Sequence, residues 1–371
     1  MSKLFQLLYI IHSFINKKLS FIKTFFLLYL SIFIIYIYKT RKKIIGVVGL
    51  INNSNIGNNL VKYSMNIKLK ELGFKPIFIG FSSKVQNIDF LKNHVKIKEI
   101  KSSYSELREK DYDLLMVNSD QTWTGHRNNT TDLLNIGFLK FAENWTIPRF
   151  VYGASLGINH WKYSKNVEII ARRLLKKFSG VSVREKKAKK IVAKHLGIHP
   201  EFVLDPTLII DKKNYLDLIK NFNNNFNFEE KYLCVYQLDK NILLEKLIEK
   251  ASQRLNYKIY KVNRYKENYI ENFIFYMNIS KAVITDSYHG TLFSIIFRKP
   301  FISYLNRQRG GGRFISLIET FNLGKRIIFP KNFKKVNINL LKTPLNINQS
   351  LMNYLKNNSI NFLKKILNKK Y

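Results

Sequence analysis

The sequence contains very little cysteine, and this shortage excludes two ways of stabilising a fold. Cys234 is the only cysteine among 371 residues, so neither an intramolecular disulfide nor a cluster of thiolates around a metal can form. Cys234 lies in an apolar, strand-like run, which favours a core residue over a nucleophile. A disulfide-free chain of this kind is typical of a cytoplasmic protein.

Acidic residues are also scarce. The chain has 25 Asp and Glu against 63 Lys and Arg, which gives a formal net charge of +38. The basic residues show no zinc-finger spacing, RNP-like aromatic strand or recognition-helix pattern, so we predict no nucleic-acid partner. A membrane surface or a glycan that carries negative charge accounts for the excess equally well.

Motifs that would indicate a cofactor are missing as well. The Gly- and Asn-rich loop after the first predicted strand lacks the GxGxxG spacing of a dinucleotide site, and no His, Asp or Glu spacing indicates a metal ion. We therefore predict no metal and no bound cofactor. No small-residue cleavage site follows the apolar N-terminal stretch, which argues against a cleaved signal peptide.

The first 43 residues differ from the rest of the chain. Residues 19–38 are almost entirely apolar and are flanked by lysine and arginine on both sides. About 20 apolar residues can span a bilayer, but the pattern also fits a helix that lies in the membrane interface or an extra helix packed on the protein. We predict a membrane anchor, so that a cytoplasmic protein is attached to the inner face of the cell membrane through residues 1–40.

The remainder of the chain alternates short apolar runs with helical patterns, which predicts an α/β fold. Its length favours two domains. We predict Rossmann-like domains at 44–210 and 231–345, a linker at 211–230 between them and a C-terminal amphipathic helix at 346–371. The two domains are expected to face a ligand cleft.

The segment TDSYHGTLFSIIF is the most informative stretch of the sequence. It follows an apolar run, so the pattern predicts a strand, a tight turn and a helix. Open α/β sheets bind ligands at such turns, and a helix start offers unpaired N–H groups to an anion. The candidate site residues here are Asp286, Ser287, Tyr288, His289 and Gly290. The alternative is that Asp286 or Ser287 only caps the helix and that His289 is a satisfied buried imidazole.

Further candidates follow the predicted strands of the first half. They are Asn55 and Gly57 in the Asn-rich loop, Asp120 and Gln121 in NSDQTW, Ser155 in YGASLG and Arg184 in SVRE. An arginine at a strand end can bind a carboxylate or a phosphate through two parallel hydrogen bonds. The alternatives are an Asx-type turn at Asp120 with Trp123 covering the core, and an ion pair of Arg184 with Glu185 or a neighbouring carboxylate.

In the second half, the tract RQRGGGR predicts a mobile basic loop that runs into a helix beginning near Phe314. Its glycines, at 310–312, allow movement, and its arginines supply positive charge that could close over an anion. Arg313 is the candidate binding residue in this tract. A solvated surface loop is the alternative.

Several of these segments together resemble the polysaccharide pyruvyl transferase family. The matching pieces are NSDQTW, YGASLG, SVRE, VLDPT and, most specifically, TDSYHGTLFSIIFRKPF, and the resemblance extends over residues 44–329. It implies a GT-B-like fold, which is also the layout that two α/β halves around a cleft indicate. It further implies transfer of pyruvate from phosphoenolpyruvate to a sugar of a cell-surface polysaccharide, normally as a ketal.

This reaction assigns roles to the candidates. Phosphoenolpyruvate would be the donor substrate, with Arg184 binding its carboxylate or phosphate and the helix start at His289 assisting. His289 would be the general acid that protonates the enol carbon. Asp120 or Asp286 would orient His289 or accept a hydroxyl proton. The expected acceptor is a saccharide or a lipid-linked glycan.

The sequence departs from the family at one informative place. Ser287-Tyr288-His289 stands where many members have Arg-Leu-His, so one anion-binding arginine is missing, and only Arg298, Arg307, Arg309 or Arg313 could replace it. Two other functions therefore remain open. One is a GT-B glycosyltransferase that uses a nucleotide sugar, and the other is a non-catalytic protein of glycan assembly at the membrane.

Overall fold

The computed structural model describes residues 6, 28–33, 41–50, 55–85, 89–124, 130–157, 160–222, 229–306 and 309–369. The chain divides into two compact units, Met1–Lys43 and Ile44–Tyr371. In the first unit, residues 28–33 are helical, while the rest of the predicted anchor at 19–38 lies outside the described residues. Within the described parts of the chain, no helix is both long enough and apolar enough to cross a membrane.

The first half of the second unit contains a sheet of seven parallel strands. They are β1 (Ile44–Val48), β2 (Lys75–Phe81), β3 (Ile97–Ile100), β4 (Leu114–Val117), β5 (Arg149–Ala154), β6 (Gly180–Val183) and β7 (Glu201–Phe202). Their order, β3-β2-β1-β4-β5-β6-β7, is that of a Rossmann sheet. β4 and β5 are buried along their whole length, as expected for parallel strands covered by helices on both faces.

The helices of this half connect its strands. They are α1 (Ile56–Glu71), α2 (Ser82–Val85), α3 (Asp89–His94), α4 (Thr130–Phe138), α5 (Lys165–Leu175) and α6 (Lys186–Leu196), followed by α7 (Pro206–Ile209) and α8 (Lys212–Asp217). Short 3-10 helices lie at Tyr104–Glu106, Glu109–Asp111 and Lys140–Ala142 in this half, and at Pro330–Lys335 and Ile338–Leu341 in the second half. Helix α8 falls in the predicted linker, where Tyr215 is fully buried while Asp211, Lys212 and Lys213 are exposed.

The second half contains a sheet of five parallel strands. They are β8 (Tyr232–Tyr236), β9 (Lys258–Lys261), β10 (Ala282–Thr285), β11 (Phe301–Tyr304) and β12 (Ile327–Ile328), in the order β12-β11-β10-β8-β9. Its helices are α9 (Ile242–Leu255), α10 (Tyr269–Ile279), α11 (Tyr288–Ile296) and α12 (Gly311–Phe321). The structure thus contains the two predicted α/β halves.

Both sheets reverse their strand order at one point. The reversal lies between β1 and β4 in the first sheet and between β8 and β10 in the second. Parallel strands that diverge at such a point leave a crevice at their carboxyl ends, where ligands bind. The loops that follow β4 and β10 carry Asp120 and His289, so the topology places both candidates at the crevices.

The last helix, α13 (Gln349–Leu367), packs back on the first sheet. Ser359 Oγ accepts a hydrogen bond of 2.9 Å from the backbone N–H of Leu204, and the Phe362 ring lies 6.2 Å from that of Tyr152. Ile366 fills the space beside Gly180, where an added Cβ would lie 2.4 Å from its Cδ1. This contact agrees with the predicted amphipathic helix, and it ties the end of the second half to the first.

Two segments that were predicted as loops are partly helical. Helix α1 begins at Ile56, so Gly57 lies in a helix and not in the predicted Asn-rich loop. The side chain of Asn55 caps this helix by accepting from the Asn58 N–H at 3.0 Å. Helix α12 begins at Gly311 after Gly310, whose φ of 92° lies in the left-handed region that glycine tolerates. The predicted mobile basic loop is therefore wrong for residues 311–313, and residues 307–308 lie outside the description.

Candidate active site

Arg184 lies at the centre of the cleft, immediately after β6. Its side chain is buried and donates to Asp205 Oδ2 at 2.5 Å and to Asp120 Oδ1 at 3.4 Å. Its Nε has no hydrogen-bond partner among the described residues. The structure thus shows the alternative ion pair of Arg184, but with the neighbouring carboxylates Asp205 and Asp120 and not with Glu185. These two carboxylates hold the guanidinium in one orientation.

Asp120 follows β4 in an uncommon backbone conformation, with φ at 152°. Its Oδ1 accepts from the Gln121 N–H at 2.7 Å, and its Oδ2 accepts from Asn58 Nδ2 at 2.5 Å. Burial opposes ionisation, but the positive charges of Arg184 and Lys62 outweigh it and lower the pKa of Asp120. Asp120 is therefore an ionised, rigidly held carboxylate at neutral pH.

Asp205 caps the short helix α7 in the segment VLDPT. Its Oδ1 accepts from the N–H and the hydroxyl of Thr207, at 3.0 and 2.8 Å. Burial acts to raise the pKa of this carboxyl, but the neighbouring His289 and Arg184 hold it well below its usual range. Asp205 thus bears a buried negative charge between the arginine and the histidine.

His289 lies in the first turn of α11 and is 6% exposed. Its Nε2 is 3.6 Å from Asp205 Oδ2, beyond hydrogen-bond distance, and has no partner among the described residues. The other side of the imidazole packs against Gly57, where an added Cβ would lie 1.9 Å from Nδ1. As far as the structure describes the chain, His289 is therefore buried with its Nε2 unpaired, which does not match the alternative of a satisfied core histidine.

The ring of Tyr288 lies between two arginines. The guanidinium carbons of Arg184 and Arg313 are 5.2 and 4.7 Å from its centroid, within the range of cation–π contacts. Arg313 is 7% exposed, and its guanidinium donates to the carbonyl oxygen of Arg309. Burial and the repulsion of Arg184 lower the pKa of Arg313 to about 10. The aromatic ring thus allows two cations to approach one site.

Of the four arginines that might replace the family's missing one, Arg313 is the one that the structure brings to the cluster. Arg298 is exposed and donates to Gln349 Oε1 at 2.8 Å. Arg309 forms a two-point ion pair with Asp239, with distances of 2.6 and 2.5 Å. Arg307 lies outside the described residues.

Glu185 and Ser155 form a second buried polar group beside the arginines. The hydroxyl of Ser155 donates to Glu185 Oε1, and the Gly157 N–H does so at 3.4 Å. Oε2 of the same carboxyl has no partner among the described residues. Burial raises the pKa of Glu185 although Arg184 lowers it, so this carboxyl binds a proton more readily than Asp120 or Asp205.

Other candidates support the loops around the site. Both oxygens of Asp286 accept backbone N–H groups, from Leu238 at 2.7 Å and Asp239 at 3.1 Å. The expectation that Asp286 orients His289 is therefore replaced by Asp205, which faces the imidazole. Ser287 Oγ caps α11 by accepting from the Gly290 N–H at 3.3 Å, as the capping alternative predicts.

Gly290, Gln121 and Trp123 make close structural contacts. A Cβ on Gly290 would lie 2.2 Å from Thr285 Oγ1, so glycine is needed where α11 meets β10. Gln121 Nε2 donates across the two halves to the carbonyl oxygen of Arg309 at 3.4 Å. Trp123 is fully buried and donates to the Gly137 carbonyl at 2.7 Å, which makes it a core residue as the alternative supposed.

Sequence reasoning missed two members of the cluster, Lys62 on α1 and Asp205 after β7. Asn58 belongs to the predicted Asn-rich loop, which is helical here. In this lysine-rich chain nothing distinguishes Lys62 from surface residues. The VLDPT segment was a usable signal for Asp205, since an acidic residue at a strand end next to the Arg184 strand is positioned to pair with it.

The assembled site has the features that an anionic ligand and a proton transfer require. Arg184 and Arg313 supply positive charge, α11 directs its N-terminus to the same place, and His289 Nε2 has no partner among the described residues. Asp120 and Arg184 follow strands β4 and β6, and His289 lies in the first turn of α11, so three separate elements bring these side chains together.

Comparison with known proteins agrees with this architecture. The polysaccharide pyruvyl transferase family model matches residues 55–308, a range that includes Asp120, Arg184, Asp205 and His289. The chain belongs to this family. It is accordingly a transferase, as predicted. No curated protein is significantly similar to the sequence.

Solved structures of similar fold have two-domain architectures. S. aureus MnaA in complex with UDP is 14% identical with a TM-score of 0.53, covering 88% of this chain and 97% of its own. A putative UDP-N-acetylglucosamine 2-epimerase from Listeria monocytogenes is 11% identical with a TM-score of 0.54, covering 89% and 98%. Arabidopsis thaliana UGT89C1 is 9% identical with a TM-score of 0.53, covering 87% and 98%. At these identities the likeness shows the fold alone and confirms the GT-B-like prediction.

Proposed function

We propose that this family member transfers the pyruvyl group of phosphoenolpyruvate to a sugar of a cell-surface polysaccharide and forms a ketal. One observation carries the proposal. Three buried polar atoms of the cluster, Arg184 Nε, His289 Nε2 and Glu185 Oε2, have no partner among the described residues. Buried polar groups are otherwise hydrogen-bonded, so these atoms are available to a small polar ligand.

The donor suits this arrangement because it is small and carries both a phosphate and a carboxylate. Arg184 would hold one of these anions, and Arg313 and the first N–H groups of α11 would attract the other. Arg313 takes the place of the arginine that Ser287 replaces. Asp120 and Asp205 fix Arg184, so its binding geometry is set before the donor arrives.

Proton transfer then follows from the position of His289. The imidazolium would give a proton to the methylene carbon of the donor, and the electrons of the carbon–carbon double bond would form the new C–H bond. The C2 atom becomes electrophilic, and a sugar hydroxyl adds there while its proton passes to Asp120. A second hydroxyl of the same sugar then displaces inorganic phosphate and closes the ketal, and its proton would pass to the now neutral His289, which restores the imidazolium. Asp205 stabilises the charged imidazolium at 3.6 Å.

The test uses the full chain and two ligands. Thermal-shift and calorimetric titrations with phosphoenolpyruvate are expected to show saturable binding, because a ligand of the native state raises its apparent stability. Arg184→Lys keeps the charge that Asp120 and Asp205 require but removes the planar fork, and should weaken binding about tenfold or more. Stabilisation by a nucleotide sugar in place of phosphoenolpyruvate would assign the cleft to the glycosyltransferase alternative.

We further propose a saccharide or lipid-linked glycan as acceptor and attachment to the inner face of the cell membrane through residues 1–40. The net charge of +38 and the exposed apolar side chains of Leu28, Tyr29, Ile32 and Phe33 support a contact with an anionic bilayer. Flotation with anionic vesicles is expected for the full chain and not for a chain that lacks residues 1–40. Equal flotation of both would refute this attachment.

A further inference from the structure

Lys62 is a buried lysine that the proposed reaction does not use. It lies in the second turn of α1 and is 2% exposed, although lysine is almost never fully buried without a partner charge. Its ammonium group donates to Asn58 Oδ1 and, at 3.4 Å, to the Asn58 carbonyl oxygen. Among the described residues it forms no salt bridge with a carboxylate.

Asn58 connects this lysine to the candidate active site. Its Oδ1 accepts from Lys62, and its Nδ2 donates to Asp120 Oδ2 at 2.5 Å. The two contacts fix the orientation of the amide, since a flipped amide would present its oxygen to the carboxylate. Asp120 in turn accepts from Arg184. Lys62 therefore belongs to the same buried network as the anion-binding arginine.

The charges of this network leave a role for Lys62. Three carboxyl groups, Asp120, Asp205 and Glu185, face two guanidinium groups, Arg184 and Arg313. If all five were ionised and Lys62 neutral, the network would carry one net negative charge and would repel an anionic donor. A charged Lys62 removes that excess. Glu185, whose pKa is raised by burial, is another group there whose charge can change.

Burial gives Lys62 the means to change its charge near neutral pH. Desolvation lowers the pKa of Lys62 to about 7, although Asp120 acts to raise it. Asp120 is the charged group that acts on Lys62. Arg184, His289 and Arg313 act on Asp120, while Asp205 and Glu185 act on Arg184. An anion that enters beside them favours the charged lysine and so draws a proton onto it.

We propose that Lys62 is a charge-switching residue of the donor site, which takes up a proton when an anionic donor enters and so supplies the cleft with its third cation. The identity of the donor rests on the proposed function, whereas the proton uptake does not. Lys62 acts through Asn58 and Asp120 and does not touch the donor, so it is a positioning residue.

Calorimetric titration with phosphoenolpyruvate at pH 8, in two buffers of different ionisation enthalpy, measures the protons taken up on binding. We expect the wild-type protein to take up more than Lys62→Met, with a difference approaching one proton per ligand. Lys68→Met is the matched control, because Lys68 lies on the same helix and pairs with Glu71, and it should leave the uptake unchanged.

The pH dependence of affinity separates a charge switch from a purely structural lysine. Lys62→Met is expected to bind phosphoenolpyruvate about tenfold more weakly than the wild-type protein at pH 6.5, which corresponds to about 1.4 kcal/mol of binding free energy. The two affinities should converge as the pH rises, because wild-type Lys62 then stays neutral in the complex. Equal proton uptake in both proteins, or a loss of affinity that is the same at every pH, would overturn the proposal.

Failure of the donor assignment is distinguishable from failure of this inference. If phosphoenolpyruvate does not bind the wild-type protein, the proposed function falls, and the same proton count is made with inorganic pyrophosphate. A difference near one proton between wild type and Lys62→Met still supports the switch. An unchanged count, or no binding of either anion, rejects it.

Discussion

The imidazole of His289 occupies the space that a Cβ atom on Gly57 would need, since that atom would lie 1.9 Å from Nδ1. Gly57 lies on α1 of the first half and His289 on α11 of the second. The contact therefore sets the distance between the two halves at the point where the donor is proposed to react. It also explains why a glycine is needed inside a helix, where it is intrinsically unfavourable.

Substitution of Gly57 by alanine tests this contact. The added methyl group must displace the imidazole, so we expect turnover to fall at least 100-fold, as for other displacements of catalytic groups by about 1 Å. Overpacking should lower the free energy of unfolding by about 1–3 kcal/mol. Gly324→Ala is the control, because its Cβ would make only an ordinary contact of 3.8 Å with Ile318. Normal turnover in Gly57→Ala would show that the imidazole has another position available.

Asp205→Asn removes one partner of the buried Arg184 ion pair. We expect the free energy of unfolding at pH 7 to fall by about 3–5 kcal/mol, because the change leaves buried positive charge uncompensated. Urea denaturation measures this. Asp211→Asn is the control, since Asp211 pairs with Lys356 through a mostly exposed carboxyl, and it should change the stability by less than about 1 kcal/mol.

The same pair gives a pH dependence with a defined sign. The pKa of Asp205 is lowered in the folded protein, so its ionisation contributes stability above the unfolded pKa of about 3.9. That contribution is lost as the pH falls from there toward the folded value. The difference between wild type and Asp205→Asn should therefore be constant from pH 6 to 7 and shrink below about pH 4. A difference in unfolding free energy that grows as the pH falls would show that Asp205 does not have a lowered pKa in the folded protein.

His289→Gln separates donor binding from chemistry. The arginines that would bind the anion are untouched, so we expect the dissociation constant for phosphoenolpyruvate to change less than about threefold. Turnover should fall by about 10²–10⁴, the usual contribution of a general acid. Pyruvyl transfer and calorimetric affinity are measured side by side, with His195→Gln, a histidine paired with Glu168, as control. Full activity without the imidazole would exclude His289 as the acid.

Arg313→Met tests the arginine that replaces the family's usual one. Loss of a charge-assisted hydrogen bond of about 1.5–3 kcal/mol should weaken phosphoenolpyruvate binding about 10- to 100-fold. Arg298→Met removes an exposed arginine of the same half and should bind normally. If the two variants bind equally well, Arg184 and the α11 N-terminus are the whole anion site.

Much of the fold could be predicted because its signals are local. Each buried strand is a short apolar run, and each helix start in the cleft has a polar cap, so residues such as Ser287 at α11 are readable from the sequence. The first turn of α1 was predicted as a loop because it is rich in asparagine and glycine, which favour loops. There the cap formed by Asn55 and the packing of Gly57 against His289 override local preference.

The charge network could not be read in the same way. Arg184, Asp205 and His289 are far apart in the sequence, and their pairing depends on how the two halves meet. Lys62 shows this most clearly. It is one of 63 basic residues, and only its burial and its bond to Asn58 distinguish it. The position of Asp120 and Arg184 at strand ends could be predicted from the sequence, and the fold brings both side chains together. Which carboxylate pairs with which cation is seen only in the contacts of the structure.

Helix α13 covers one surface of the first sheet, although the strands of that sheet are synthesised long before the helix. Gly180, Tyr152 and Leu204 receive Ile366, Phe362 and Ser359 respectively, so the first half has an uncovered apolar face until the last helix has been synthesised. Domains generally fold as units during synthesis, the N-terminal one first. Here that domain is complete only after α13 has been synthesised, and a nascent chain stalled before residue 349 is expected to recruit chaperones.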